Sequence, residues 1–216
     1  MQPVELGALP PRQRRTVEAI LDAAFDLYLE QGVTRTSLSE LSRRAGISRP
    51  TIYKYFGDAS GVTRAVVQRE FETFFDGVPD WLQQQEEAAE GDREPIVELV
   101  VFAVRYAREH ALFQRMLTAE PEIVLPLVTV RADPTLRSAT AVIVEALQST
   151  RGRSNGSGGR GPHGEPTSDT DLQRVAEIIA RTALSLVTTD SVVVDLEDTE
   201  TLRNYVTTQL GGVLRL

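Results

Sequence analysis

The 216-residue sequence contains no cysteine, two histidines, one tryptophan and a single lysine, Lys54. The lack of cysteine excludes a disulfide framework, a thiol nucleophile and a metal site built on thiolates. The sequence also lacks the run of about 18 apolar residues that a membrane-spanning helix needs, and the apolar stretch behind a basic start that marks a signal peptide. We therefore expect a cytoplasmic protein whose 41% hydrophobic residues form an ordinary core.

Residues suited to catalysis are also scarce. The two histidines are His110 and His163, and the sequence shows no metal-ligand cluster, nucleophile elbow or phosphate-binding glycine loop. The run GSGGRG at 156–161 contains glycines, but no strand pattern precedes it and no helix follows it directly, so we interpret it as a linker. We expect the protein not to be an enzyme and to hold no metal or cofactor.

The charge of the chain is unevenly distributed along its length. The net charge is −8, yet residues 1–57 hold eight basic and six acidic residues, while residues 58–216 hold 15 basic and 25 acidic ones. The basic excess near the N-terminus suits a nucleic-acid partner, and the acidic remainder would repel DNA and help to orient the molecule. The negative total therefore does not exclude DNA binding.

The spacing of apolar residues predicts helices throughout the chain and no strands, so we expect an all-α fold. A Pro-rich disordered arm is expected at 1–11, a short or kinked helix between Pro121 and Pro126, and a flexible loop at 150–168, which holds six of the 15 glycines. The other helices are predicted at about 12–31, 38–45, 49–55, 58–90, 94–109, 112–119, 134–149, 169–187 and 198–214.

The most informative stretch is 37–56, SLSELSRRAGISRPTIYKYF. Ser37 and Glu40 form a capping-box pattern, Gly46 allows a tight turn, and Ser48 is a good N-cap for a second short helix. This is the pattern of a helix-turn-helix, in which the second helix enters the major groove of DNA. The residues left facing outward are of types that bind phosphates and base edges, namely Ser48, Arg49, Thr51, Tyr53, Lys54 and Tyr55.

These residues resemble the signature of the tetracycline-repressor (TetR/AcrR) family. The resemblance also includes Ile20, Phe25 and Gly32 in the first helix and Thr36 before the second; it is specific over about 13–70 and weaker beyond. It implies an N-terminal three-helix DNA-binding domain at 12–57, followed by a helical domain at 58–216 that binds an effector and forms a dimer.

The resemblance also implies individual roles. Thr36 and Ser37 would meet phosphate at the start of the second helix, and Thr51 and Tyr53 would contact phosphates from the third. The residues nearest the bases would be Arg49, Pro50 and Lys54. Two positions depart from the family pattern: Tyr55 stands where histidine is usual, and Ala59 stands where a phosphate-binding lysine is common, which would weaken the contact from the fourth helix.

Several arginines allow two interpretations. Arg12, Arg14 and Arg15 either grip the minor groove or form a solvated helix start. Arg43 and Arg44 either contact phosphate or lie on a solvated face.

The last two helices carry apolar stripes that also allow two interpretations. In the family resembled, these helices form a four-helix dimer interface, but the same stripes suit core packing within one subunit. The residues concerned are Ile178, Ile179, Ala183, Leu186, Leu202, Tyr205, Val206 and Leu210.

The middle helices carry aromatic residues and methionine, which suit either an apolar ligand cavity or a simple core. The candidate ligand residues are Trp81, Phe102, Tyr106, Phe113, Met116 and Leu117. Because few charges fall on these faces, we expect a hydrophobic effector such as an acyl chain or another lipid-like molecule. The sequence thus favours a repressor that binds a palindromic operator as a homodimer and is released by such a molecule, with an effector-independent or nucleoid-associated DNA-binding protein as the alternative.

Overall fold

The computed structural model describes residues 9–88, 94–153 and 168–212, within which the regular elements are ten α-helices and no strand. The predicted all-α class is therefore confirmed. The helices are α1 (Pro11–Gln31), α2 (Leu38–Ala45), α3 (Arg49–Phe56), α4 (Ala59–Ala88), α5 (Pro95–Glu109), α6 (Ala111–Ala119), α7 (Pro121–Val128), α8 (Asp133–Arg153), α9 (Asp169–Thr188) and α10 (Thr199–Leu210). In this part of the chain, no helix is long and apolar enough to cross a membrane.

Several predicted boundaries differ from the structure at the ends of helices. The predicted disordered arm is wrong at Pro11, which begins α1, because a proline at the first helical position has its φ already set and needs no N–H partner. The predicted loop is wrong at 150–153, since α8 continues to Arg153. Residues 1–8 and 154–167 of these two segments lie outside the described residues, and Leu9, Pro10 and Ser168 are described as non-helical. Helix α10 ends at Leu210, earlier than predicted.

Packing divides the chain into two compact units. The first contains the described residues up to Phe74 together with Ala111–Val124, and the second contains Phe75–His110 and the described residues from Leu125 onward. The domain boundary expected after residue 57 stays a prediction. The segment Ala111–Val124 joins the N-terminal unit because Leu112 and Met116 of α6 are buried there and α6 packs against α1.

In the second unit, α5 packs against α8, α9 and α10. Its buried face includes Ile96, Val100 and Val104, which repeat at helical spacing. An ion pair between Arg203 of α10 and Glu98 of α5, with Nε 2.6 Å from Oε1, lies largely out of solvent beside this core. The unit is thus a helical bundle built around α5.

Candidate nucleic-acid interface

Helices α2 and α3 form a helix-turn-helix. Gly46 lies between them in the left-handed region, with φ +67°, and its N–H donates to the carbonyl of Ser42. A Cβ at Gly46 would meet no atom within 4 Å, so the backbone conformation, not crowding, favours glycine there. The Ser42 hydroxyl closes the turn by donating to the carbonyl of Ile47 at 2.7 Å. The turn is therefore fixed on both sides, and it sets the angle between the two helices.

Each of the two helices begins at a serine cap. Ser37 accepts the N–H of Glu40 at 3.2 Å, and Ser48 accepts the N–H of Thr51 at 3.4 Å. The predicted capping box forms only its first half at α2, because the Glu40 carboxylate points toward Arg43, 3.8 Å away. The starts of both helices are still defined by local side-chain contacts.

Helix α3 has one buried face and one exposed face. Ile52 and Phe56 are buried in the first unit, while Tyr53 on the other side is 44% exposed. The other predicted DNA-contacting residues of this segment are exposed (Ser48, Arg49, Pro50 and Lys54) or half-buried (Thr51 and Tyr55). The structure thus brings these residues together on one polar surface.

Lys54 and Tyr55 also interact with each other on this surface. The Lys54 ammonium lies 5.6 Å from the centre of the Tyr55 ring, and that ring meets Phe56 edge to face with centroids 6.4 Å apart. The contact with Phe56 ties Tyr55 to the buried side of the helix.

Thr36 and Ser37, at the start of α2, differ in whether the hydroxyl hydrogen is already donated to a protein group. The Thr36 hydroxyl donates to the carbonyl of Gly32 at 2.7 Å, and the side chain is half-buried. Ser37 is exposed, and its oxygen accepts the capping N–H of Glu40, which leaves its own hydrogen to donate. Ser37 is therefore the better placed of the two to bind phosphate.

Arg43 and Arg44, for which the sequence allows either a phosphate contact or a solvated position, make different contacts in the structure. Arg44 makes a two-pronged contact with Glu30 of α1, at 3.0 and 2.7 Å, and this hydrogen bonding lowers the pKa of the Glu30 carboxyl. Arg43 is far more exposed, and its guanidinium reaches no closer than 3.8 Å to Glu40. Arg44 thus fixes α2 on α1, whereas Arg43 remains a candidate for phosphate contact.

The contact that holds the turn before α2 could not be predicted from the sequence. Glu120 follows α6 and is 7% exposed, and its carboxylate accepts the N–H of Val33 at 2.7 Å and the N–H of Thr34 at 2.6 Å. Burial by itself would raise the pKa of Glu120, but the hydrogen bonds from Thr34 and Val33, with the charge of Arg115, hold it below its ordinary value. The only sequence signal was an acidic residue between the apolar positions of two short helices.

The six candidate ligand residues are divided between the two units. In the second unit, Trp81 stacks on Phe102 with ring centroids 4.4 Å apart, Phe102 lies 6.0 Å from Tyr106, and Tyr106 lies 5.7 Å from His110. We refer to these four rings as the aromatic row. His110 was not among the predicted residues.

The other three candidates, Phe113, Met116 and Leu117, belong to the first unit, where Met116 is buried in the core. Each unit thus contains three of the six predicted residues.

The apolar stripes on the last two helices are mostly the core of a single chain. Ile179, Leu202, Val206 and Leu210 are at most 1% exposed, and Leu186 is also buried. Ala183 and Tyr205 are half-buried, and Ile178 is 46% exposed. A dimer contact through α9 and α10 would therefore use the opposite faces of these helices, with Ile178 among the exposed residues.

Comparison with known proteins identifies this arrangement. Residues 20–66 match the family model of bacterial regulatory proteins of the tetR family, and this range includes α2, the turn and α3. Residues 20–66 are therefore similar to the DNA-binding domain of tetR-family transcriptional regulators. An uncharacterised HTH-type transcriptional regulator of Mycobacterium bovis is 26% identical over 198 residues, which cover 90% of this chain and 92% of the relative.

Solved structures of tetR-family proteins share the fold of this chain. AlkX of Dietzia sp., a repressor implicated in biodegradation of n-alkanes, superposes with a TM-score of 0.63 and 22% identity over 91% of this chain and 96% of AlkX. FadR of Thermus thermophilus, a repressor solved in complex with lauroyl-CoA, gives a TM-score of 0.58 and 20% identity over 92% of this chain and 93% of FadR. The relatives are transcriptional regulators and not enzymes, which confirms that part of the prediction.

Proposed function

We propose that this protein is a cytoplasmic tetR-family repressor that binds a palindromic operator as a homodimer and is released by a hydrophobic small molecule. The observation that carries the proposal is the polar outer face of α3, held by a fixed turn and backed by buried Ile52 and Phe56. A short helix presented in this way fits the major groove and exposes its side chains to base edges.

The DNA contacts follow from this face. Arg49, Pro50 and Lys54 are exposed and would lie nearest the bases, and Arg and Lys suit guanine. The residues proposed to contact phosphate are Thr36, Ser37, Ser48, Thr51, Tyr53 and Tyr55, whose hydroxyls can donate hydrogen bonds. Thr36 would first have to release the carbonyl of Gly32.

A palindromic operator requires two copies of α3 about 34 Å apart, or a multiple of that distance, which a twofold dimer provides. We propose that α9 and α10 form the dimer contact. Their inward faces are used by the core of the second unit, so the contact would use the outward residues, among them the 46% exposed Ile178. An apolar residue in such a position suits the centre of a helix–helix contact.

The effector is proposed to be an acyl chain or another lipid-like molecule. The candidate contacts are Trp81, Phe102 and Tyr106 of the aromatic row, which are half-buried and offer apolar area, with Phe113, Met116 and Leu117 as further candidates. AlkX and FadR, which share the fold, are associated with n-alkanes and with lauroyl-CoA respectively. Mass spectrometry of an organic extract from the purified protein tests this part, because an apolar compound should co-purify or bind on addition.

The DNA-binding part is tested by mixing the purified protein with sheared host genomic DNA and sequencing the bound fragments. Tyr53→Ala and Lys54→Ala are compared with Arg137→Ala, an exposed cation of α8 in the second unit. A few enriched palindromic sites, lost in the first two variants and retained in the third, are expected. Broad enrichment that no apolar compound reverses would favour an effector-independent, nucleoid-associated protein and contradict the proposal.

A further inference from the structure

Glu120 occupies the corner between α6 and α7. Its N–H donates to the carbonyl of Met116 at 3.0 Å, and its carbonyl accepts the N–H of Ile123 at 3.0 Å. Both neighbouring helices therefore fix its backbone, and Met116 and Val124 are buried on either side of it in the first unit. The side chain starts from a rigid point, so its far end can hold another segment in a defined position.

Both oxygens of the Glu120 carboxylate bind the turn that leads into α2. Oε2 accepts from the Val33 N–H at 2.7 Å and Oε1 accepts from the Thr34 N–H at 2.6 Å. Among the residues whose burial the structure describes, Glu120 is the only charged side chain that is buried. A buried carboxylate that binds two backbone N–H groups makes strong, charge-assisted hydrogen bonds and fixes the path of the backbone.

The conformation and surroundings of Gly32 are a second observation that supports the importance of the Glu120 contact. It ends α1 with φ +93°, and a Cβ placed on it would lie 3.0 Å from Oε2 of Glu120 and 3.4 Å from Nη2 of Arg115. Both the backbone conformation and the close approach of the carboxylate therefore favour glycine. A glycine at this point allows the carboxylate to reach the N–H groups of the next two residues.

The turn held by Glu120 continues directly into the proposed DNA-binding surface. The Thr36 N–H donates to the carbonyl of Val33 at 3.1 Å, and the Thr36 hydroxyl donates to the carbonyl of Gly32 at 2.7 Å. Ser37, the next residue, caps α2. The contacts thus run from Glu120 through the turn to Thr36, which is bonded to Ser37, the cap of α2.

We propose that Glu120 is a positioning residue for DNA binding, which fixes the turn at 33–35 and thereby the placement of Ser37 and the start of α2. The inference rests on the proposed DNA-binding function. Glu120 itself is buried and does not touch DNA; it acts through backbone groups 86 and 87 residues earlier in the chain. Without it, the two N–H groups lose their partner and the turn has several alternative conformations.

The test compares Glu120→Ala and Glu120→Gln with Glu122→Gln, a matched change at an exposed acid two residues away. The probe is an operator duplex recovered with the wild-type protein, and binding is measured at a temperature where circular dichroism shows every variant fully folded. We expect the Kd of Glu120→Ala to rise about tenfold or more, that of Glu120→Gln to rise less, and that of Glu122→Gln to stay unchanged.

A second readout separates positioning from general stability. In ¹H–¹⁵N spectra of the DNA-free protein, the amide signals of Val33, Thr34 and Ser37 should shift in both Glu120 variants and stay in place in Glu122→Gln. Folded Glu120 variants that bind the operator with wild-type Kd would overturn the inference and leave the proposed function standing.

The remaining outcomes are also decisive. A wild-type protein that selects no site would overturn the proposed function, and the positioning role with it. Because glutamine keeps the volume of the side chain and one carbonyl oxygen, Glu120→Gln decides the question if Glu120→Ala does not fold.

Discussion

Two loops of this protein are each held by a charged side chain that is distant in sequence, but the groups bound by that side chain differ. Glu120 holds the turn before α2 by its backbone N–H groups. In the second unit, Arg108 of α5 holds the connection between α9 and α10 by two side chains, with Nη2 2.6 Å from Asp190 and 2.7 Å from Glu197. Glu120 thus binds the backbone of its turn directly, whereas Arg108 binds the loop through the side chains of Asp190 and Glu197. The backbone contact of Arg108, from Nη1 to the carbonyl of Leu186 at 3.4 Å, lies within α9.

Solvent exposure strengthens this contrast. Glu120 is 7% exposed, but the partners of Arg108 are 83% and 74% exposed. Water can replace Arg108 at both of its carboxylate partners, whereas the carboxylate of Glu120 is itself largely shielded from solvent. Backbone position is therefore controlled more tightly at the turn that leads into α2 than at the α9–α10 connection, whose tip presents Val192 and Val193 to solvent.

The largest effect is expected from Glu120→Ala. Loss of two hydrogen bonds to a charged group should lower the free energy of unfolding by about 3 kcal/mol, since each contributes about 1.5–3 kcal/mol. Urea unfolding followed by circular dichroism measures this difference against Glu122→Gln, which should unfold like the wild type. A loss no larger than that of the control would mean that the turn finds other partners.

The stability contributed by Glu120 should also depend on pH. Its pKa in the folded protein is held below the ordinary value of 4.5, so the folded state binds the proton more weakly than the unfolded state. The contribution is therefore present above pH 4.5 and lost as the pH falls through the lowered pKa. Unfolding of wild type and Glu120→Gln from pH 7 to pH 3 should show the two converging in acid; a constant difference would show that the carboxylate charge is irrelevant.

A smaller decrease in the free energy of unfolding is expected from Gly32→Ala than from Glu120→Ala. The positive φ of 93° disfavours alanine, and the new Cβ would lie 3.0 Å from the Glu120 carboxylate, which together should cost about 2 kcal/mol. Gly46→Ala is the informative control, because it also has a positive φ but no atom within 4 Å of the new Cβ. Equal losses in the two variants would argue that only the backbone conformation matters at Gly32.

The smallest effect is expected from Arg108→Gln. Its partners are exposed, so the change should lower the free energy of unfolding by less than about 1 kcal/mol, and added salt should reduce the difference further. Unfolding in low and high sodium chloride measures both. If Arg108→Gln proved as costly as Glu120→Ala, the contrast between the two loops would not hold.

The sequence predicted the helix-turn-helix well because its signals are local. Ser37, Ser48 and Gly46 act within three or four residues of their own positions, and the structure places them as caps and turn. The prediction of helix ends is less accurate. It places Pro11 in a disordered arm, although Pro11 begins α1 and proline is a good first residue of a helix. Short-range sequence signals thus predict which helices form, but they locate the ends of these helices only approximately.

Contacts between distant segments could not be predicted from such local sequence signals. The Glu120 contact joins residues 86 and 87 positions apart, and nothing in the residues around either end indicates the other. The stripe that includes Leu202 and Val206 was visible as apolar, but periodicity does not say whether a face is covered by the same chain or by another one. For the same reason the aromatic residues could be listed, but not their division between two units.

Lys54, the single lysine of the chain, lies exposed on α3. A lysine-specific protease therefore has one peptide bond to cut, and that bond lies inside a helix, where cleavage requires the backbone to unwind first. The rate at which two fragments appear would measure every opening event that unwinds α3, local or global, without a label or an engineered site. The same bond should be cleaved more slowly when DNA covers the helix. Cleavage at Lys54 would therefore report DNA binding in the unmodified protein.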